Sequence, residues 1–263
     1  MNEKELYKIY DKSYKEFFSS NLSIKQLLES FVNIDLVKYI DFNSIELINK
    51  SFILDSNKEK ESDIIYKIKI KEEYSDISIY IVVLLEFQSS VDKNMLYRMI
   101  EYTLLLYKEL EKTNIELPPI LPIVLYTGSK NWNIPNDINQ IVKSNKILGE
   151  YGLKFKYFLL DINNYSINDL KNIGNIISTL FLSEMIKDVE LVADEIEKLI
   201  HKKEDKEIIK KFLFYLFDVY EKHNIDYNKL QEVLDEKLEV KTMLIEHVYE
   251  MKKEAELKGI EKG

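Results

Sequence analysis

Three oxygen-bearing side chains, Asp63, Glu86 and Gln88, stand at a spacing that a β-hairpin would bring together. Asp63 heads an apolar run through Ile70, which the polar segment Glu72–Asp76 interrupts. A second, longer run starts at Ile77 and closes on Glu86-Phe87-Gln88. Two such runs joined by a short polar segment predict an antiparallel hairpin, in which facing residues have numbers with a constant sum. With Lys71 opposite Ser78 that sum is 149, and Asp63 then faces Glu86. Gln88 shares the face of Glu86, because strand side chains alternate. Two carboxylates and an amide at a sheet end can hold a hard divalent cation through oxygen. Solvated acids at a strand end would show the same spacing.

Beyond Ser89-Ser90 the pattern becomes helical. Met95, Met99, Tyr102, Leu106 and Leu110 recur every three or four residues. Arg98 and Tyr102 are then i and i+4, one above the other on the helix that leaves the hairpin. The chain has 37 Lys and Arg together, of which Arg98 is the single arginine. An arginine kept where lysine serves everywhere else suits a planar, two-pronged contact. The structural alternative pairs Arg98 with Glu101 at i+3 and leaves Tyr102 as core.

The elements that must position these residues follow in order. Asp11 can cap a short helix carrying Tyr14, Phe17 and Phe18 on one side. Residues 22–40 form an amphipathic helical region, expected to break near Asn33. Ile45–Leu54 predicts a first strand. After the hairpin and its helix, Ile120–Tyr126 is a continuous apolar run of the kind found in buried strands, flanked by prolines that disfavour a helix. Asn131–Ile141 is loop-like, and Phe155–Leu160 supplies a final strand. From Ile167 onward the periodicity is helical, over Leu170–Ile186, Val189–His201, Glu207–Tyr220 and Leu230–Leu257. The division expected is 1–165, an α/β core, and 166–263, an all-helical region. Leu244, Val248, Met251 and Ala255 have coiled-coil spacing over barely two heptads, too few to establish dimerisation. Any homo-oligomer is expected through these C-terminal helices.

The ordered set of Asp63, Glu86-x-Gln88, Arg98 and Tyr102 resembles the core of the Rpn family of recombination-promoting nucleases, a branch of the PD-(D/E)XK superfamily. The resemblance extends to Asp11-Lys12-Ser13-Tyr14-Lys15-Glu16-Phe17-Phe18. It continues in Leu121-Pro122-Ile123-Val124-Leu125-Tyr126-Thr127-Gly128 and Trp132, covering roughly residues 8–165. It implies a restriction-endonuclease-like mixed sheet flanked by helices. It also implies a Mg²⁺- or Mn²⁺-dependent DNA endonuclease linked to recombination or mobile elements. Asp63 and Glu86 would be metal ligands and Gln88 a third catalytic residue. Arg98 and Lys15 would contact DNA phosphates, supported by Tyr102 and Asp11. Asp11 serves equally as a plain N-cap, and Lys15 as a solvated helix lysine. In the wider superfamily a Lys stands at the place of Gln88, which leaves the positive charge to Lys15 or Lys67. Ser62 replaces the usual Pro before the first acid. The rival reading is a non-cleaving DNA- or protein-binding accessory module that keeps the nuclease-like fold.

Composition narrows the classes further. The net charge is −9, with residues 1–165 near balance and 166–263 more acidic, which counts against a broad basic face. No apolar run approaches the ~20 residues a membrane span needs, and the N-terminus lacks a signal-peptide core; a cytoplasmic protein without membrane contact is expected. The absence of cysteine rules out disulfides and thiolate metal sites. His201, His223 and His247 lie far apart in the helical half and read as structural. With six glycines there is no Gly-rich phosphate loop, and no G-x-S-x-G nucleophile motif.

Overall fold

The computed structural model describes residues 14–48, 64–71, 80–112, 117–143, 145–186, 188–202, 204–222 and 232, with the backbone alone at 80–87, 145 and 217–222. The chain groups into two compact units. One takes residues 27–164; the other takes those up to 26 together with 165 onward.

Among the described residues the first unit has a mixed sheet of five strands in the order β1-β2-β3-β4-β5. These are β1 (Glu46–Ile48), β2 (Ile64–Lys69), β3 (Tyr80–Gln88), β4 (Ile120–Tyr126) and β5 (Phe158–Asp161). β1, β2 and β3 pair antiparallel, whereas β3, β4 and β5 run parallel. In β2–β3 every facing pair from Ile64↔Leu85 to Lys69↔Tyr80 sums to 149, the register expected from the hairpin. The parallel step from β3 to β4 requires a crossover, which the helical segment after Ser90 provides. β5 begins at the row of Ile123, so Pro122 occupies a row that β5 does not reach, a place where its missing N–H is tolerated.

Helix α1 (Asn21–Phe31) carries the chain from the helical unit into the strand unit. The break expected near Asn33 is present: α1 ends at Phe31 and a 3₁₀ turn, Asp35–Tyr39, follows. The crossover helix is α2 (Met95–Glu111), burying Met95, Leu96, Met99, Tyr102, Thr103 and Leu106. This stripe packs on Ile65 and Val124 of the sheet, with Ile138 and Tyr157 closing the cluster. Burying one such large apolar side chain contributes about 1.5–3 kcal/mol, so this contact anchors α2.

Some element bounds differ from the sequence reading. The final strand starts at Phe158, not Phe155, because 155–157 pair elsewhere. The Phe155 carbonyl accepts from Ile138 N, and Tyr157 N donates to the Asn136 carbonyl. The stretch read as loop also ends in a helix, α3 (Ile138–Ile141), whose first turn Asp137 caps together with Gln140. The first strand is described only as Glu46–Ile48, and its expected continuation past residue 48 lies outside the described residues, as does the expected helix 230–257 with its coiled-coil positions.

The second unit is helical: α4 (Ile167–Ile173), α5 (Ile176–Met185), α6 (Val189–His201) and α7 (Lys206–Lys222). The single helix expected over Leu170–Ile186 is two. Gly174 takes the left-handed conformation (φ 57, ψ 41) that ends α4, and Asn175 caps α5. α5 is buried on nearly every side, from Ile176 through Leu182, as a central helix must be. The aromatic residues before α1 belong to this unit. Tyr14 meets Tyr215 edge-on with centroids 5.4 Å apart, and Phe17 lies 6.2 Å from Phe212. Gln26 donates to Glu204 at 2.9 Å and accepts from Ile176 N at 3.1 Å. Among the described residues no helix is long and apolar enough to cross a membrane.

Glu184, near the end of α5, is pushed up to about 8 by burial, with the neighbouring Tyr14 acting in the opposite direction. The folded state therefore keeps a proton that the unfolded chain releases, and stability falls as pH rises from about 4.5 to about 8. Each tenfold change in proton affinity corresponds to about 1.4 kcal/mol. The side chain retains partial exposure, and solvent screening reduces the expected loss to roughly 1–2 kcal/mol. Thermal melts at pH 5 and pH 8 should show this loss in the wild type and not in Glu184→Gln. Parallel pH dependence in the two proteins would refute the assignment.

Candidate active site at the strand ends

The C-terminal ends of the three parallel strands lie in one row. Gln88 ends β3 opposite Tyr126, the last residue of β4, and Tyr126 pairs in turn with Asp161, the last of β5. Residues in one row of a sheet present side chains to the same face. Glu86 stands two residues back in β3, in the row of Val124 and Leu159. Val124 and Leu159 belong to the cluster beneath α2, so this is the sheet face that α2 covers.

Several contacts lock the ends together. The Gln88 carbonyl accepts from Thr127 N at 2.9 Å, and the Gln88 residue is buried. The Tyr126 hydroxyl donates to the Lys130 carbonyl at 2.6 Å, and its ring packs edge-on against Trp132 with centroids 4.9 Å apart. Burial raises the Tyr126 hydroxyl and the Asp161 charge raises it further. Asp161, buried, accepts from Asn163 through the backbone N at 3.0 Å and through Nδ2 at 2.8 Å. The same Nδ2 donates to the Gly128 carbonyl at 2.8 Å. Asn163 thus ties the end of β5 to the segment that follows β4.

Arg98 projects from the first turns of α2. Its Nη1 donates to Asp92 Oδ2 at 2.7 Å and its Nη2 to the Tyr102 hydroxyl at 3.2 Å, with Cζ 5.6 Å from the centre of the Tyr102 ring. The i, i+4 relation between Arg98 and Tyr102 is therefore realised. Asp92, six residues before the arginine, is a partner that the sequence reading did not name. Burial pushes the Asp92 carboxyl up, but hydrogen bonds from Arg98 and Asn94 N and the charge of Arg98 together bring it below the usual range. Asp92 also acts on Tyr157, which burial pushes up to about 12, with the Asp92 charge adding to the rise.

The remaining expected site residues are placed as follows. Asp63 and Asp11 lie outside the described residues, and Glu86 is described through its backbone alone. Lys67 is in β2, paired with Glu46 on one side and Val82 on the other. Lys15 belongs to the helical unit. Among the described residues no three His, Cys, Asp or Glu groups cluster as a metal site. Asp92, Asp161 and Asn163 are additions from the structure. For Asp161 a signal existed: it is a lone acid closing an apolar strand, the same pattern that marks Glu86.

Gly128 tests the assembly of the strand ends. A Cβ there would meet the Ser89 carbonyl, and would lie 2.5 Å from the Tyr126 hydroxyl. Gly128→Ala must therefore push the end of β3 away from that of β4, at a cost of about 1–3 kcal/mol. A lowered melting temperature with loss of Tyr126–Trp132 packing, read by near-UV circular dichroism, is expected. An unchanged melt would mean the strand ends are not so closely packed.

Residues 8–209 of the chain match the family described as "Putative transposase, YhgA-like". The chain is 29% identical over 120 residues to "Recombination-promoting nuclease RpnC" of Escherichia coli (strain K12), covering 45% of this chain and 39% of that protein. It is 27% identical over 130 residues to "Recombination-promoting nuclease RpnD" of Escherichia coli O157:H7, covering 48% of each. A third relative, "Inactive recombination-promoting nuclease-like protein RpnE" of Escherichia coli (strain K12), is 28% identical over 131 residues, which are 47% of this chain and 42% of that protein. Each of these alignments thus spans less than half of the relative's length. No solved structure matches the chain. The family match runs through the strand ends, through α2 with Arg98, and on into the helical unit, and the chain belongs to the YhgA-like transposase family.

Proposed function

We propose that this chain is a metal-dependent DNA endonuclease of restriction-endonuclease-like architecture, acting in recombination or on mobile elements. The observation that carries this reading is the β2–β3 register. The described pairs, Ile64↔Leu85 to Lys69↔Tyr80, keep the sum of 149 on which the expected pairing of Asp63 with Glu86 is based. Gln88 follows two residues on, at the end of the same strand. Kinship with relatives named recombination-promoting nucleases supports the same conclusion.

The donor set suits the metal. Carboxylates at 63 and 86 and an amide oxygen at 88 are hard oxygen donors, the kind Mg²⁺ and Mn²⁺ take. When bound, such an ion activates water and neutralises charge on the phosphate. Asp63 and Glu86 would hold it. Gln88 cannot act as a base, but its amide can orient a water by donating or accepting a hydrogen bond. The guanidinium of Arg98 carries donors in a fixed fork. Asp92 and Tyr102 engage its two Nη atoms and so set the orientation in which it would meet a phosphate. Lys15 and Lys67 remain the candidates for the charge that a lysine at position 88 would have supplied.

Purified protein with plasmid and Mg²⁺ should cleave, and Asp63→Ala and Glu86→Ala should each lose at least a hundredfold. Equal cleavage by either variant, or cleavage in EDTA, would remove the site from consideration. Arg98→Lys cannot reproduce a fork that bridges two partners. Cleavage is expected to drop about tenfold or more, while stability changes by under ~1 kcal/mol, as for other partly exposed ion pairs. Full activity in Arg98→Lys would reduce the Asp92–Arg98–Tyr102 contacts to a structural brace.

A second reading draws on two observations: Gln88 in place of Lys, and a relative named inactive. A non-cleaving module would bind DNA or protein without metal. Calorimetric titration with Mn²⁺ separates the two readings, since a signal abolished by Glu86→Ala belongs to the enzyme alone.

A further inference from the structure

The segment joining α3 to β5 leaves large apolar side chains in water. Ile147 and Tyr151 are 84% and 86% exposed, and Leu148 and Leu153 are 56% and 54% exposed. Chains seldom present so many neighbouring large apolar groups unless a partner takes them. The segment is not a loose strand of chain at its base. Ile138 N donates to the Phe155 carbonyl, Tyr157 N donates to the Asn136 carbonyl, and Asp137 bridges Lys156 through the backbone. Two antiparallel stretches therefore pin both ends beside β5. Between them the backbone follows a 3₁₀ course, Asn145–Tyr151, kinked at Gly149. Apart from the glycine and its two chain neighbours, no described atom comes within 4 Å of the point where a side chain at Gly149 would begin.

Charge decides what such a surface is for. Residues 141–156 contain four lysines, Lys143, Lys146, Lys154 and Lys156, against the single acid Glu150. All four lysines are exposed, and they form a cationic projection on a chain whose net charge is −9. Duplex DNA offers about one negative charge per 1.7 Å of axis for lysines to neutralise. It also accepts exposed apolar side chains as wedges between base steps. A two-fold contact centred on this segment would bring the lysines of one copy near those of the other.

We propose that the segment Ile141–Lys156 is a DNA-contacting element, its lysines on phosphates and its Ile147–Tyr151 tip against the bases or sugars of the groove. This rests on the nuclease reading for the choice of substrate, and adds a second DNA contact at a defined projection beside β5. The lysines would supply positive charge that the strand-end residues lack.

Fluorescence anisotropy with a labelled duplex, in EDTA over a range of salt, reads the proposal on the full chain. The double variant Lys146→Gln/Lys154→Gln should bind at least tenfold more weakly at low salt. Two lost phosphate contacts should flatten its log–log salt slope by about 1.8. Tyr151→Ala should weaken binding several-fold with the slope unchanged. Variants that bind as the wild type does, or a wild type that binds no duplex, would overturn the proposal. So would sedimentation in which Tyr151→Ala turns an oligomer into a monomer at unchanged DNA affinity, since the occupant would then be a second copy. Plasmid cleavage by the wild type against Asp63→Ala, measured alongside, reports on the nuclease reading separately: that reading can stand while the projection fails, and the reverse.

Discussion

β3 is the strand on which the candidate site depends, because it pairs with neighbours of opposite sense. Against β2 it runs antiparallel, with facing residues whose numbers sum to 149. Against β4 it runs parallel, in a register set by a helical crossover. A slip of one residue in either pairing would move every side chain of β3 to the other face. Gln88 would then leave the face that α2 covers. The buried stripe of α2 on Ile65 and Val124 opposes such a slip, since it would expose apolar area on both partners. Packing and site geometry are in this sense a single constraint.

The polar groups at the strand ends are held by short, mostly local hydrogen bonds. Asn163 serves its neighbour Asp161 and the distant Gly128 with one amide nitrogen, which joins two strand ends without a further charged group. Arg98 is managed differently. Its ion pair with Asp92 is only partly exposed, each side chain keeping about a quarter of its surface. The pair is thus less screened than one in open solvent. A guanidinium held by a carboxylate on one side and a phenol on the other stays oriented, which matters more for recognising a phosphate than the few tenths of a kcal/mol the pair contributes to stability.

The helical unit follows another logic. α5 is apolar nearly all round and must be enclosed, and α6, α7 and the aromatic residues of the N-terminal segment belong to the same unit. Several of its buried polar groups have partners. Glu195 is buried and takes Lys198 at 2.7 Å, and Gln26 bridges Glu204 and the first turn of α5. This is the general requirement that buried polar groups be hydrogen-bonded.

The sequence by itself determined what local period and chain reversal control. The hairpin register was legible because alternating apolar runs around a short polar segment leave few ways to pair. The span of α2 was legible from its three-and-four spacing, and so was the meeting of Arg98 with Tyr102 one turn on. The row of Gln88, Tyr126 and Asp161 was not legible. A parallel register depends on how a long crossover packs, and nothing in the spacing of these residues reports that. Asp92 escaped for a related reason: it precedes the helix, where no helical period relates it to Arg98. The helix break at Gly174 depended on one residue adopting a left-handed conformation that the surrounding apolar pattern masks. Tertiary packing alone grouped Tyr14 and Phe17 with α7, nearly two hundred residues away, because aromatic faces choose partners by shape and burial and carry no mark of sequence distance.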